Sequence, residues 1–138
     1  MKALLDTNII IHREASTVIN QDVGILYRWL ERVNYTKCVH SLTVTEIEKY
    51  KDQQTVNAFH IKLDSYERIE IPSPLQAEVL AVSGKIDVNE NDKNDTQLLN
   101  EVFVGRVDIL VTEDKKIHKK AIELRIEDKV FTIDSFLE

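Results

Sequence analysis

The sequence predicts an α/β domain built on a parallel sheet, and three observations carry that prediction. Short apolar runs alternate with helical stripes from end to end, which is the sequence form of repeated βαβ units. One run, Val107 to Val111, is interrupted only by Asp108, as suits a strand covered on both faces. The length of 138 residues is that of one ordinary domain, large enough to fold without a disulfide or structural metal. The chain shows no internal repeat, linker or low-complexity segment, so residues 1–138 are expected to form a single domain.

Taken in order, Ala3-Leu4-Leu5 reads as a short buried strand closed by Asp6. Val23, Leu26, Tyr27, Leu30 and Val33 follow with the i, i+3, i+4, i+7 spacing of a helix face. Lys37 to His40 reads as a second strand. Ser41 then stands where it would cap a helix carrying Val44 and Ile47. Val56, Phe59, His60 and Leu63 repeat the helical spacing, and Arg68 to Ile71 gives a third short strand. Ser73-Pro74-Leu75-Gln76 reads as a helix start, with a Ser cap, Pro in the first helical position and Gln three residues after the cap; Gly84 ends that helix. Asp87 to Asp95 is rich in Asn and Asp and reads as a loop. It delivers the chain into a helix with Leu98, Leu99, Val102 and Phe103 inward and Gly105 at its end. After the Val107–Val111 strand, Ile117, Ala121 and Leu124 mark another helix face, and Val130 to Ile133 forms the last strand.

Composition bounds the class. At 43% hydrophobic and 30% charged the chain is globular, not disordered. Cys38 is the single cysteine, which excludes an internal disulfide and a cysteine-rich zinc site, and suits a reducing cytoplasm. Within its strand, Cys38 is expected to pack and not to react. No apolar stretch approaches membrane-span length, and the N-terminus lacks the uninterrupted apolar core of a secretory signal. The expected location is cytoplasmic. A net charge of −6 looks wrong for a nucleic-acid partner. Four carboxylates compensated locally by a cation would bring the balance to only −2, however, and Lys115, Lys116, Lys119, Lys120 and Arg125 face one acid, Glu123, in that stretch. Global charge decides nothing here.

The informative residues are four acids. In open α/β sheets, ligands gather at the carboxyl ends of the strands. Asp6 closes the first strand, Asp114 follows the Val107–Val111 strand by three residues, Asp95 enters a helix, and Glu46 lies about one turn into another. Carboxylates brought together stay ionised only beside a cation. Oxygen ligands of this kind suit Mg²⁺ or Mn²⁺, which lower the pKa of bound water and offset charge on a phosphodiester. His12, His40, His60 and His118 are scattered, so no zinc-like ligand pair is spaced for the task. Each acid also has a plainer reading. Asp6 can be a turn residue. Glu46 can complete a capping box with Thr43, Asp95 can cap the Leu98 helix in company with Asp92, and Asp114 can cap the lysine-rich helix. Singly, none of these positions is specific.

Their joint order is more telling. Leu4-Leu5-Asp6-Thr7-Asn8, Ser41-Leu42-Thr43-Val44-Thr45-Glu46, Asn94-Asp95-Thr96-Gln97-Leu98-Leu99 and Leu110-Val111-Thr112-Glu113-Asp114-Lys115-Lys116 resemble, in sequence, the four motifs of PIN-domain nucleases. The likeness runs along essentially the whole chain. It implies a three-layer α/β/α sandwich around a parallel sheet of about five strands. It also implies a Mg²⁺- or Mn²⁺-dependent endoribonuclease that hydrolyses RNA phosphodiester bonds, leaving a 5′-phosphate. Carried over by position, Asp6, Glu46, Asp95 and Asp114 would be catalytic metal ligands, Asp114 directly or through water. Thr7 and Thr112 would donate hydrogen bonds that orient carboxylates, and Asn8 would shape the turn. Small relatives of this kind are toxins with a protein antitoxin and a habit of homodimerising, so both partners are expected from the resemblance.

Around the acids, Lys115/Lys119 and Lys116/Lys120 are i, i+4 pairs, and Lys115, Lys116, Lys119 and Arg13 are candidate contacts to RNA phosphates. The competing reading is a solvated helix surface. Tyr27 and Trp29 sit in a helical pattern, which favours core or dimer packing over base stacking. Two other functions compete: a non-catalytic or regulatory PIN module, as part of a longer protein, and a phosphatase or phosphotransferase on a different α/β fold with an Asp at a strand end, such as an enzyme of haloacid-dehalogenase type. The first should have lost acids that are all present. The second wants an acid two residues after Asp6, where Asn8 stands.

Overall fold

A computed structural model describes residues 1–14, 21–49 and 52–137. It contains a five-stranded sheet, all parallel, in the order β3-β2-β1-β4-β5. The strands are β1 (Lys2–Leu5), β2 (Thr36–His40), β3 (Glu67–Ile69), β4 (Ile109–Val111) and β5 (Val130–Phe131). Helices α1 (Thr7–Glu14) and α2 (Gln21–Arg32) join β1 to β2, and α3 (Ser41–Glu48) and α4 (Gln53–Leu63) join β2 to β3. Helices α5 (Ala77–Ile86) and α6 (Glu90–Phe103) precede β4, α7 (Lys115–Glu123) precedes β5, and α8 (Ile133–Leu137) follows it.

Strand periodicity sorts the core into two layers. Ala3, Leu5, Val39, Ile109 and Val111 point to one face, where they meet Ile9, Leu26, Leu30, Ile47, Phe59 and Ile133 from α1, α2, α3, α4 and α8. Leu4, Cys38 and Leu110 point to the other and meet Leu98, Leu99, Val102, Ile117 and Ala121 from α6 and α7. Each central strand is thus apolar on both sides, which is why it reads as an unbroken run. The three-layer α/β/α sandwich expected from the resemblance is the observed fold. Cys38 is fully buried, and that burial, with Glu67 beside it, pushes its thiol up to about 12, in keeping with a packing role.

Several boundaries differ from those expected, each for a visible reason. Helix α2 ends at Arg32 because Asn34 takes a left-handed conformation and the Tyr35 N–H bonds back to Leu30, so Val33 is exposed. His40, not Ser41, caps α3: its Nδ1 accepts from the Leu42 N–H. Ser73 caps nothing; its hydroxyl and N–H both go to Glu101, and α5 begins later, at Ala77. Gly84 lies inside α5, which runs on to Ile86. The expected loop at Asp87–Asp95 is a helix from Glu90 onward, capped by the Asn89 side chain. The β3, β4 and β5 strands are shorter than their apolar runs, and Ile133 opens α8. Gly105 stands, as expected, at the end of α6, with φ +79°. Among the described residues no helix is long and apolar enough to cross a membrane.

Candidate metal centre

The strand order reverses between β1 and β4, since the chain moves outward from β1 on one side and returns to build the other. Such a switch point leaves a crevice at the carboxyl ends of the two strands. Asp6 leaves β1 there, and Thr112 leaves β4 beside it. The Thr112 hydroxyl donates to Asp6 Oδ2 at 2.6 Å, and the Thr7 N–H donates to Oδ1 at 2.7 Å. In turn the Asp114 N–H donates to Thr112 Oγ1 at 3.1 Å. Asp6 is 6% exposed. Burial pushes its carboxyl above the usual range, and Asp114 and Glu46 push the same way, against the two bonds that favour the charged form.

Asp95 lies on α6, past its first turn and not at its start. Burial, then Asp6 and Asp114, and in smaller measure Glu46, raise its carboxyl to about 7, and Lys120 opposes them. Asp6, Glu46, Asp95 and Asp114, from four separate elements, therefore share one electrostatic environment. Glu46 accepts a long bond of 3.4 Å from Asn94 Nδ2. Asp114 fulfils its plainer reading as well: Oδ1 caps α7, accepting from the N–H groups of Lys116 and Ile117. An open pocket of ≈ 330 Å³ lies over Asp6 and Asp114, lined also by Asn8, His12 and Asp22.

Among the described residues, no three Asp, Glu, His or Cys side chains stand close enough to form a ready-made metal cage. The acids are neighbours and not a closed ligand shell. Their chemistry still fits a hard dication, because Mg²⁺ keeps much of its water and is commonly held by one or two carboxylates.

The basic residues divide. Lys115 and Lys119 are exposed on α7. Lys116 bridges to Asp92 at 3.1 Å. Lys120, expected on the surface with them, is instead buried, with its Nζ 2.5 Å from Asp87 Oδ1 and donating to Thr96 Oγ1 and the Asp92 carbonyl. Arg13 is exposed, its guanidinium 4.9 Å from the centre of the Tyr27 ring. Tyr27 is core. Trp29 is half exposed and forms a shallow groove with Val33, Phe136 and Leu137.

Sequence reasoning passed over two residues that organise this region. Glu101 and His40 are both fully buried, with His40 Nε2 2.9 Å from Glu101 Oε2. A signal for Glu101 existed, namely an acid one position from Val102 and three from Leu98 on an inward face. Thr7 also differs in part: its N–H orients Asp6, but its hydroxyl pairs with Thr43 at 2.8 Å.

No protein-family model matches the chain, and no curated protein matches it in sequence. Among solved structures it is similar to FitAcB from Neisseria gonorrhoeae, at 16% identity over 95% of this chain and 97% of that one, with a TM-score of 0.54. At that identity the likeness concerns the fold.

Proposed function

We propose that this protein is a Mg²⁺- or Mn²⁺-dependent endoribonuclease that hydrolyses RNA phosphodiester bonds. The observation that carries this reading is the buried Asp6 carboxylate at the carboxyl end of β1, oriented by Thr112 and the Thr7 N–H beneath an open pocket it shares with Asp114; the repulsion from Asp6, Asp114 and Glu46 that helps raise Asp95 to about 7 supports it. Holding carboxylates within repelling distance of one another costs stability, and a hard dication is a ligand that would return it. Asp6, Glu46, Asp95 and Asp114 are the residues that would hold the cation. When bound, such a cation lowers the pKa of water and offsets the charge that builds on a phosphodiester.

The chain's own groups supply the rest. Thr112 and the Thr7 N–H fix both oxygens of Asp6, and Asn94 steadies Glu46. The cap bonds to Oδ1 of Asp114 fix its rotamer. Lys115 and Lys119 offer positive charge for the phosphates that flank the bond being cut. Incubation of labelled RNA, single-stranded DNA and a phosphomonoester with Mn²⁺, Mg²⁺ or chelator tests the reading. The expected outcome is RNA cleavage that chelator blocks; an inert protein with all three substrates ends the proposal.

One observation favours a second reading, a PIN-like module that binds without cutting: the acids form no closed cage among the described residues. Mn²⁺-dependent thermal stabilisation without cleavage would select it. The finer expectations are a toxin with an antitoxin partner and a homodimer, drawn from the family resemblance, and a cytoplasmic location, drawn from the single cysteine and the absence of a signal-like or membrane-spanning stretch. Growth arrest on expression, abolished by Asp6→Asn, tests the toxin, and gel filtration tests the homodimer.

A further inference from the structure

The pair His40–Glu101 lies deeper than any of the acids discussed so far and takes no direct part in them. Glu101 is fully buried at the far end of α6 from Asp95. It collects His40 Nε2 at 2.9 Å, the Ser73 N–H at 3.0 Å and the Ser73 hydroxyl at 2.5 Å, with Arg106 Nη1 3.6 Å away. His40 has both ring nitrogens engaged: Nδ1 accepts from the Leu42 N–H and caps α3, so Nε2 carries the proton that goes to Glu101. His40 is also the last residue of β2. One side chain therefore fixes where α3 leaves the sheet and ties that point to α6.

The second tie between these helices is the Asn94–Glu46 bond. Along α3 the two ties are separated by six residues, from 40 to 46. Along α6 they are separated by seven, running backwards from 101 to 94. Helices α3 and α6 are thus pinned antiparallel at two points roughly 10 Å apart. The bond at the Glu46 end is long and partly exposed; the bond at the His40 end is short and dry. Helix α3 is also held by Ile47 in the core and by the Thr43–Thr7 hydroxyl pair at 2.8 Å, so loss of the His40 tie would leave the helix in place and change its spacing to α6, and with it the distance from Glu46 to Asp95.

We infer that His40 and Glu101 are positioning residues for the cation site: their buried pair sets the distance between Glu46 and Asp95. This rests on the proposed metal-dependent reading. Outer partners of metal-binding side chains act in this way, and their loss typically weakens metal affinity by about 10–100-fold.

Mn²⁺ binding by calorimetry tests the inference, with RNA cleavage measured in parallel. His40→Asn keeps an acceptor for the Leu42 N–H but is too short to reach Glu101. Glu101→Gln keeps the shape and weakens the tie, and it supplies the measurement if the first variant does not fold. Ser73→Ala is the control, since it removes a bond to Glu101 without touching the α3–α6 tie. Both tie variants should bind Mn²⁺ about tenfold more weakly, with cleavage at saturating Mn²⁺ within about threefold of wild type. Ser73→Ala should lower the melting temperature and leave Mn²⁺ affinity alone. Wild-type affinity in both tie variants, or an equal loss in Ser73→Ala, overturns the inference and leaves the nuclease reading standing. A wild-type protein that binds no Mn²⁺ overturns both.

Discussion

Two of the acids on helix α6, Asp95 and Glu101, lie less than two turns apart, and the fold treats them in opposite ways. Asp95 faces three other carboxylates, and burial with that repulsion holds its carboxyl up to about 7. Burial also opposes the charge on Glu101, but the bonds from His40 and Ser73 prevail and hold its carboxyl below the usual range. One acid stands chiefly among like charges, and the other gathers hydrogen-bond donors. The same helix thus carries one acid surrounded by like charges and one surrounded by donors, and a strongly perturbed carboxyl of the first kind is a candidate functional group.

That contrast can be broken, beginning with the largest effect. Glu101→Ala leaves the His40 N–H and both Ser73 donors without an acceptor in the interior. It should cost about 3–5 kcal/mol of unfolding free energy, read from urea denaturation. A loss below about 1 kcal/mol would show that Glu101 is not the anchor described. Asp6→Asn should leave the fold intact and reduce metal-dependent RNA cleavage by at least about a hundredfold, close to 2.7 kcal/mol of barrier. Unchanged turnover in that variant would remove Asp6 from the site.

The electrostatics sharpen the comparison further. A carboxyl raised from 3.8 to about 7 on folding holds its proton more tightly in the native state. Its contribution to stability is therefore present at low pH and is lost as pH rises across that window. The raised carboxyl of Asp6 acts in the same direction. Without metal, melting temperature should fall between about pH 4 and pH 7, and Mn²⁺ should restore it. Asp95→Asn should flatten the profile and raise the melting temperature at pH 8 by roughly 3 °C, which is about 1 kcal/mol. A metal-free melting curve that improves with rising pH would contradict the account of Asp95. The smallest effect belongs to the surface: Lys115→Ala with Lys119→Ala should weaken RNA binding several-fold and lower its salt slope by about one per lysine. Salt dependence identical to wild type would leave these lysines as ordinary solvated residues.

Much of this molecule was legible in the chain. Strand-length apolar runs such as Leu4-Leu5 and Leu110-Val111 announce a sheet covered on both faces, because a strand with helices above and below it has no polar side to show. The places of Asp6 after β1 and of Asp114 before α7 were readable as well, since strand ends and helix caps carry local signals. Helix boundaries were read less well wherever a distant group competed for a local cap. Ser73 looks like a cap by sequence, but Glu101, 28 residues away, takes its hydroxyl.

By itself, then, the sequence determined the layers, the alternation of strand and helix, and the places of Asp6 and Asp114 just after β1 and β4; it put Asp95 at a helix entrance, where the structure has it past the first turn of α6. Those properties follow from periodicity and from near neighbours. Tertiary structure alone decided which charges are paired. Lys120 belongs to a run of surface-like lysines and is buried on Asp87, while His40 joins Glu101 across 61 positions. Whether a charged group is satisfied depends on what the sheet order sets beside it, and no local pattern encodes that.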